Sequence, residues 1–402
     1  MNPPRILTLL DYYIPGYKSG GPLRTIANMV ERIGDRFAFR VLTRDRDATD
    51  SAPYPDRPAD TWIPVGKAQV WYASPGGLSA GAIRRRVAEV MPDAIYLNSF
   101  FSPLTVRLLA LRRLGLIPAV PVVIAPRGEF SPGALRLKAP KKRAYIAAAR
   151  AAALYANLIW QASAPREADE IRRVMGAVET VVAPDIPAPL SIAAAPPPAK
   201  RPGALRLVFL SRVAEKKNLH FLLELLPRLR GAVELEIYGP LREPAYWARC
   251  QALIAALPPS TSVSYKGPVV HEEVAEALAR AHVFCLPTLG ENFGHAILEA
   301  LAVGRPVLVS DQTPWHDLEA RGAGWDLPLD ARRWVEQLQR LIDMGPAEYE
   351  EWARGAKRYA VAFSAAPATV EATVALFEHA LGCAPAAPLL PDYRSRMTGQ
   401  GS

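Results

Sequence analysis

Cysteine is scarce. Cys250, Cys285 and Cys383 are the only three in 402 residues, too few and too scattered for a disulfide framework or zinc-ligand spacing, which favours a reducing compartment. Long apolar runs are missing as well. No segment supplies the ~18 uninterrupted apolar residues of a membrane span. The N-terminal MNPPRILTLLDYY lacks an extended apolar region and reads as a first strand rather than a signal peptide. The G-x-G-x-x-G dinucleotide fingerprint is absent, which argues against a nicotinamide-dependent enzyme. No aromatic platform or nucleic-acid motif accompanies the basic clusters, so nucleic acid is not an expected partner. No tandem repeat of solenoid period occurs.

What is present suits a globular α/β protein. Half of the residues are hydrophobic and 22% are charged, enough for large cores, and the length suggests two domains of roughly 180 residues. The net charge of +9 is unevenly spread. Residues 1–186 carry 26 Lys/Arg against 16 Asp/Glu, a net +10, whereas residues 187–402 carry 22 against 23. Basic clusters at Arg84-Arg85-Arg86 and at Lys138, Lys141, Lys142 and Arg143 suit anionic lipid headgroups or a phosphorylated acceptor; a solvated helix face is the plainer alternative.

Short β-branched runs alternate with amphipathic stretches, the pattern of parallel sheets with helical crossovers. In the first half strands are expected at Arg5–Leu10, Phe37–Leu42, Ala68–Tyr72, Ala94–Asn98, Val122–Ala125, Leu158–Gln161 and Thr180–Val182. The second half gives Leu205–Leu210, Glu234–Tyr238, Ser262–Tyr265, Val283–Leu286 and Val307–Val309. Between them, the prolines of Pro184–Pro202 prevent regular structure. The expected organisation is a first Rossmann-like domain over 1–186, a Pro/Ala-rich linker over 187–204, a second Rossmann-like domain over 205–363, a helix over 364–382, and a disordered tail over 383–402.

Three strand–loop–helix junctions carry chemistry. Ser19-Gly20-Gly21-Pro22 follows the first strand and opens a helix, where glycine permits close approach of a ligand and free N–H groups suit an anion. Arg212 and Lys217 stand at the end of the first strand of the second domain, where open α/β sheets place ligands; a guanidinium fork and an ammonium there can balance a diphosphate. The third junction is "LPTLGENFGHAILEALAVGRPVL", Leu286–Leu308. Asn292-Phe293-Gly294 reads as the turn into a helix, leaving Glu291 in the loop and Glu299 on a later turn. A carboxylate beside an anion site repels a diphosphate unless it bonds hydroxyl groups, as on a sugar. The alternatives are a helix-start charge at Glu291 and a paired core carboxylate at Glu299.

Arg212, Lys217 and this Glu-x7-Glu segment, together with the Gly-Gly loop, "IAPRGEFSPGAL" at Ile124–Leu135 and "IYGP" at Ile237–Pro240, resemble the retaining glycosyltransferases of family 4. That resemblance implies the GT-B fold: two Rossmann-like domains facing across a cleft, with a C-terminal helix crossing back to the first. It implies that Arg212 and Lys217 bind the diphosphate of a nucleoside-diphosphate sugar, that Glu291 contacts the donor sugar, and that Glu299 holds the ribose. It further implies that Gly20, Gly21, Gly239, Asn292, Phe293 and Gly294 line the donor site and that Asn98 and Glu129 face the acceptor. Many relatives carry His-Gly where this chain has Arg127-Gly128. Arg127 cannot accept a proton at neutral pH, so it is expected to supply positive charge to the leaving diphosphate, to bind an acidic group, or simply to pair with Glu129. His295 is expected to pack rather than to act as a base.

No cofactor or metal is expected. Asp45-Arg46-Asp47 mimics a D-x-D metal motif but lies in the wrong domain for the donor. The implied activity is transfer of a sugar to a saccharide or lipid-linked acceptor in bacterial cell-surface polysaccharide synthesis, in the cytoplasm or peripherally on the inner membrane face. A sugar-nucleotide 2-epimerase of the same fold and a non-catalytic sugar-nucleotide-binding partner are the rivals.

Overall fold

The computed structural model describes residues 2–136, 139–188, 196 and 198–382. The tail expected over 383–402, and with it Cys383, lies outside the described residues, as do Lys138 and much of the expected linker. The chain divides into two units: Met1–Ala188 with Pro367–Ser402, and Pro189–Ala366.

Among the described residues the first unit is built on eight strands: β1 (Arg5–Leu9), β2 (Ala38–Arg44), β3 (Trp62–Val65), β4 (Ala68–Ala73), β5 (Ala94–Asn98), β6 (Val122–Ala125), β7 (Ile159–Ala162) and β8 (Thr180–Val182). Their order is β3-β4-β2-β1-β5-β6-β7-β8. Only β3 runs antiparallel, against β4. Residues of β5 and β6 are buried throughout, as expected of parallel strands covered on both faces, and for that reason they read clearly from sequence. β3 was not anticipated. It is short, carries Pro64 and lies at the sheet edge, where a missing N–H is tolerated.

The helices of this unit are α1 (Gly21–Ile33), α2 (Ala80–Val90), α3 (Pro103–Arg113), α4 (Pro132–Arg136), α5 (Ala139–Ala151) and α6 (Pro165–Met175). Local chemistry sets several starts. The Ser79 and Ser102 hydroxyls cap α2 and α3 by accepting from Ala82 and Leu104 N–H, and Pro103 and Pro165 open their helices.

The second unit carries β9 (Ala204–Leu210), β10 (Ala232–Tyr238), β11 (Thr261–Gly267), β12 (Val283–Leu286), β13 (Val307–Ser310) and β14 (Gly324–Leu327), all parallel, in the order β11-β10-β9-β12-β13-β14. This is the doubly wound Rossmann order, and it reverses between β9 and β12, the switch point where such sheets bind ligands. β14 also escaped the sequence reading, as a four-residue edge strand containing Gly324 and Asp326. The helices are α7 (Leu219–Leu225), α8 (Pro244–Ala255), α9 (His271–Ala279), α10 (His295–Ala302), α11 (Ala331–Asp343) and α12 (Pro346–Ala365). Leu207, Phe209, Leu222, Ile237, Phe284, Leu308 and Trp334 form a core excluded from solvent, each such side chain contributing about 1.5–3 kcal/mol of burial.

The last helix, α13 (Ala368–Ala380), belongs to the first unit. The helix expected over 364–382 thus starts at Ala368, because Pro367 ends the preceding helix and Ser364 and Ala365 remain in α12. Phe377 packs its ring 5.4 Å from Phe37, 6.0 Å from Phe39 and 5.3 Å from Tyr96. Among the described residues, Pro346–Ala380 has the length and hydropathy of a bilayer span. It is broken at Ala366-Pro367, however, and its apolar side chains serve the two cores. Parts of the expected linker are fixed. Lys200 is buried in the second unit, its Nζ donating to the carbonyls of Arg201, Ile342 and Met344 at 2.9–3.0 Å.

Candidate functional site

In the second unit the candidate donor residues converge at the carboxyl ends of β9, β10 and β12. β9 runs into Ser211-Arg212 and a single 3-10 turn at Glu215–Lys217. β12 runs through Thr288–Gly294 into α10. The two loops are stitched together: Leu289 N donates to the Lys216 carbonyl at 2.9 Å, and the Thr288 hydroxyl reaches the same oxygen at 3.2 Å. Across this seam the Lys217 ammonium donates to Glu291, whose own N–H bonds the Gln312 carbonyl at 3.0 Å. The two side chains are only 9% and 12% exposed.

Burial opposes ionisation of Glu291, but Lys217, Lys216 and Arg212 outweigh it and hold its carboxyl below the usual range. Burial lowers the Lys217 ammonium, with Glu291 opposing and Arg212 adding to the fall. Arg212 is likewise lowered by burial and by Arg242, against Glu291 and Glu243. Four cations, Arg212, Lys216, Lys217 and Arg242, thus act around two carboxylates, Glu291 and Glu243. The surplus positive charge, largely desolvated, suits a dianion.

Gly239, at the end of β10, has φ 135°, and a Cβ there would lie 2.0 Å from the Ser211 carbonyl oxygen. Only glycine lets β10 and the Ser211-Arg212 turn approach this closely. Gly294 caps α10 in the left-handed region at φ 82°. The helix has neither a side-chain cap nor an acidic residue in its first turn, so its amino end offers N–H groups to an anion. Phe293 is buried, its carbonyl taken by Trp315 Nε1 at 2.5 Å. His295 lies against its ring at 4.6 Å, and Asn292 sits at the turn. Glu299 is on the second turn of α10, 27% exposed and 3.8 Å from His271 at the start of α9. Glu291 and Glu299 therefore mark two places around the amino end of α10.

In the first unit the candidate residues gather at the carboxyl ends of β5 and β6 and the start of α1. Gly20 adopts φ 84° ahead of α1. The loop before it is held by Asp47, whose carboxylate accepts from Tyr17 N at 2.7 Å and Lys18 N at 2.9 Å, while Asp45 pairs with Arg46. Of the D-x-D look-alike, the Asp47 carboxylate thus holds this loop and that of Asp45 is paired with its neighbour Arg46.

Arg127 and Glu129 do not pair with each other. Arg127, itself at φ 57°, sends its guanidinium into a buried network, donating to Asp185, to the Tyr96 hydroxyl and to Asn98 Oδ1 at 3.1 Å. Its side chain is 5% exposed and that of Asp185 is 3%. Burial works against the Arg127 charge, and Asp185, with Tyr96 and Glu167, overcomes it. Asp185 also accepts from the Thr25 hydroxyl of α1 at 3.1 Å, and the Tyr96 hydroxyl donates to Gln161. Asn98 is buried, and its Nδ2 has no hydrogen-bond partner among the described residues, a costly state for a buried donor. Glu129 accepts from the Ser99 hydroxyl at 2.7 Å and from the amides of Phe100 and Phe101 at 2.5 and 3.4 Å. Burial nevertheless pushes its carboxyl up to about 7. Asp185, Thr25, Tyr96 and Gln161 were not singled out from sequence. Asp185 in particular follows Pro184 at the very end of the expected first domain, where no local pattern marks it as a site residue.

Residues 204–344 match the model of the family described as Glycosyl transferases group 1. A curated relative, the MMP alpha-(1->4)-mannosyltransferase of Mycolicibacterium hassiacum, is 31% identical over 170 residues, which cover 41% of this chain; the chain thus spans 40% of that relative's own length. Among solved structures, sucrose-phosphate synthase from Thermosynechococcus elongatus superimposes with a TM-score of 0.74 at 18% identity, covering 95% of this chain and 100% of that one. Anabaena HepE in complex with UDP-glucose superimposes with a TM-score of 0.67 at 16% identity, covering 93% and 98%. These likenesses place both units in the GT-B fold. The match to the glycosyl transferases group 1 model falls within the second unit, which holds the Lys217–Glu291 seam and the α10 amino end.

Proposed function

We propose that this protein is a retaining glycosyltransferase that moves a hexosyl group from a nucleoside-diphosphate sugar to a saccharide or lipid-linked acceptor in the assembly of a cell-surface polysaccharide. The observation that carries this reading is the seam at the β9/β12 switch point, where Arg212, Lys217 and the amino end of α10 surround one carboxylate. A diphosphate at this pole shares Lys217 with Glu291, and hydroxyl groups of the attached sugar donate to Glu291. Glu299, further along α10, accepts from the ribose. Gly20 and Gly21, the acceptor-side residues Asn98 and Glu129, and Arg127 are proposed contributors from the first unit.

In the proposed reaction the bond between the anomeric carbon and the diphosphate oxygen breaks. The acceptor oxygen bonds the same face of that carbon, and its proton passes to the departing phosphate oxygen. Arg212, Lys217 and the α10 amides stabilise the charge that develops on the diphosphate. The reading requires neither a double-displacement carboxylate pair nor a metal. A soluble enzyme working at the cytoplasmic membrane face is the setting that fits the basic first unit.

A panel of nucleotide sugars tests the reading by thermal shift. A bound donor at 100 times its Kd adds about 2.7 kcal/mol of stability, and mannosyl donors come first because of the mannosyltransferase relative. Lys217→Ala should abolish that shift and lower kcat by roughly 10²–10³-fold; turnover within threefold of wild type in that variant rejects the cradle. Glycosyl transfer that persists in excess EDTA is the expected result for a metal-free site.

A further inference from the structure

Beyond the β6 exit, α4, α5 and the end of α6 border a groove of about 480 Å³. Its floor is apolar, with Leu135, Ile146 and Val174 packed on the first unit's core. Its rim is cationic, with Arg136, Arg143 and Arg150 exposed, and none of the described residues lining it is acidic. Arg150 is tied to the floor by donating to the Val174 carbonyl at 3.2 Å.

Lys142 connects this groove to the acceptor-side residues. It lines the groove, donates to the Ala134 carbonyl at 2.6 Å and stands 5.2 Å over the ring of Phe101. Phe101 N in turn donates to Glu129.

Cations alone would suit any anion, and an apolar floor alone any hydrophobe. Together they select a molecule whose phosphate adjoins an alkyl chain. A face that lies on a bilayer presents apolar residues along one side of an amphipathic helix, whereas this concavity has the size of a small-molecule site. We infer that the groove holds the first stretch of the hydrocarbon chain of a lipid-linked acceptor, with its phosphate among Arg136, Arg143 and Arg150. This rests on the transferase reading and names its acceptor class.

Isothermal titration of the full chain with dodecyl phosphate, below its micellar concentration, tests the inference. Inorganic phosphate and uncharged dodecyl maltoside serve as the other two arms. Dodecyl phosphate should bind at least tenfold more tightly than either. Arg143→Glu, at an exposed position, and Ile146→Asp should each weaken it at least tenfold while leaving the nucleotide-sugar thermal shift unchanged. Equal affinity for inorganic phosphate or for dodecyl maltoside, or undiminished binding by both variants, overturns it. If nucleotide sugars raise Tm and dodecyl phosphate does not bind, the groove assignment alone falls. If no nucleotide sugar raises Tm, the transferase reading falls.

Discussion

Glu129 shows how a single side chain can set a pH response. Its carboxyl is raised by burial to about 7 from an ordinary 4.5, so the folded protein binds this proton more tightly than the unfolded chain does. Stability from this group is complete below the unfolded value and is lost as pH rises through the folded one, by roughly 3 kcal/mol in all. Glu129→Gln cannot titrate; its single oxygen can accept from the Phe100 and Phe101 amides while its NH2 donates to the Ser99 hydroxyl oxygen. The Tm of wild type should therefore fall relative to that of Glu129→Gln between pH 5 and pH 8, and parallel curves would contradict the assignment. Such behaviour is not legible from sequence. "PRGEF" puts Arg127 two positions from Glu129, and only the fold turns one toward Asp185 and the other toward Ser99. Lys217 and Glu291 are different. Each occupies a strand–loop–helix junction, so local sequence identified both even though 74 positions separate them.

At the scale of elements, the approach of β10 to the β9 exit is a tight constraint on the proposed donor pole. The Cβ of Gly239→Ala would fall 2.0 Å from the Ser211 carbonyl oxygen and 3.3 Å from Arg212 N. Overpacking and backbone strain together should cost about 3 kcal/mol or more and displace Arg212. Gly267→Ala is a suitable control, since it has a similarly positive φ of 87° but nothing within 4 Å of the added carbon; it should cost only about 1–2 kcal/mol. Chemical denaturation and nucleotide-sugar binding of both variants check this, and equal losses would show that strain rather than the close approach matters. The central strands announced themselves as continuous apolar runs because both of their faces are covered. The edge strands β3 and β14 did not, since Pro64, Gly324 and Asp326 are tolerated where one side of the ladder is open.

At the scale of the whole molecule, the first unit is discontinuous: its sheet comes from residues 5–182, but α13 comes from residues 368–380. Phe377→Ala should cost about 3–5 kcal/mol, since the ring is wholly buried against Phe37, Phe39 and Tyr96. The loss should appear in the unfolding of the first unit, read by hydrogen exchange of β1, β2 and β5, with the second unit's strands unaffected. Prolines and the Pro/Ala composition marked the change between units in sequence, with the first domain expected to end at residue 186 and the unit's first segment ending at Ala188; the burial of Asp185 beside Arg127 was not legible there.

That discontinuity also fixes an order of birth. Nascent chains tend to fold domain by domain as they leave the ribosome, yet here the earlier half emerges without the helix that covers Phe37 and Phe39, while the later half is one uninterrupted stretch. The half made second can be finished first, and the half made first must wait, with aromatic surface bare, until the final helix arrives.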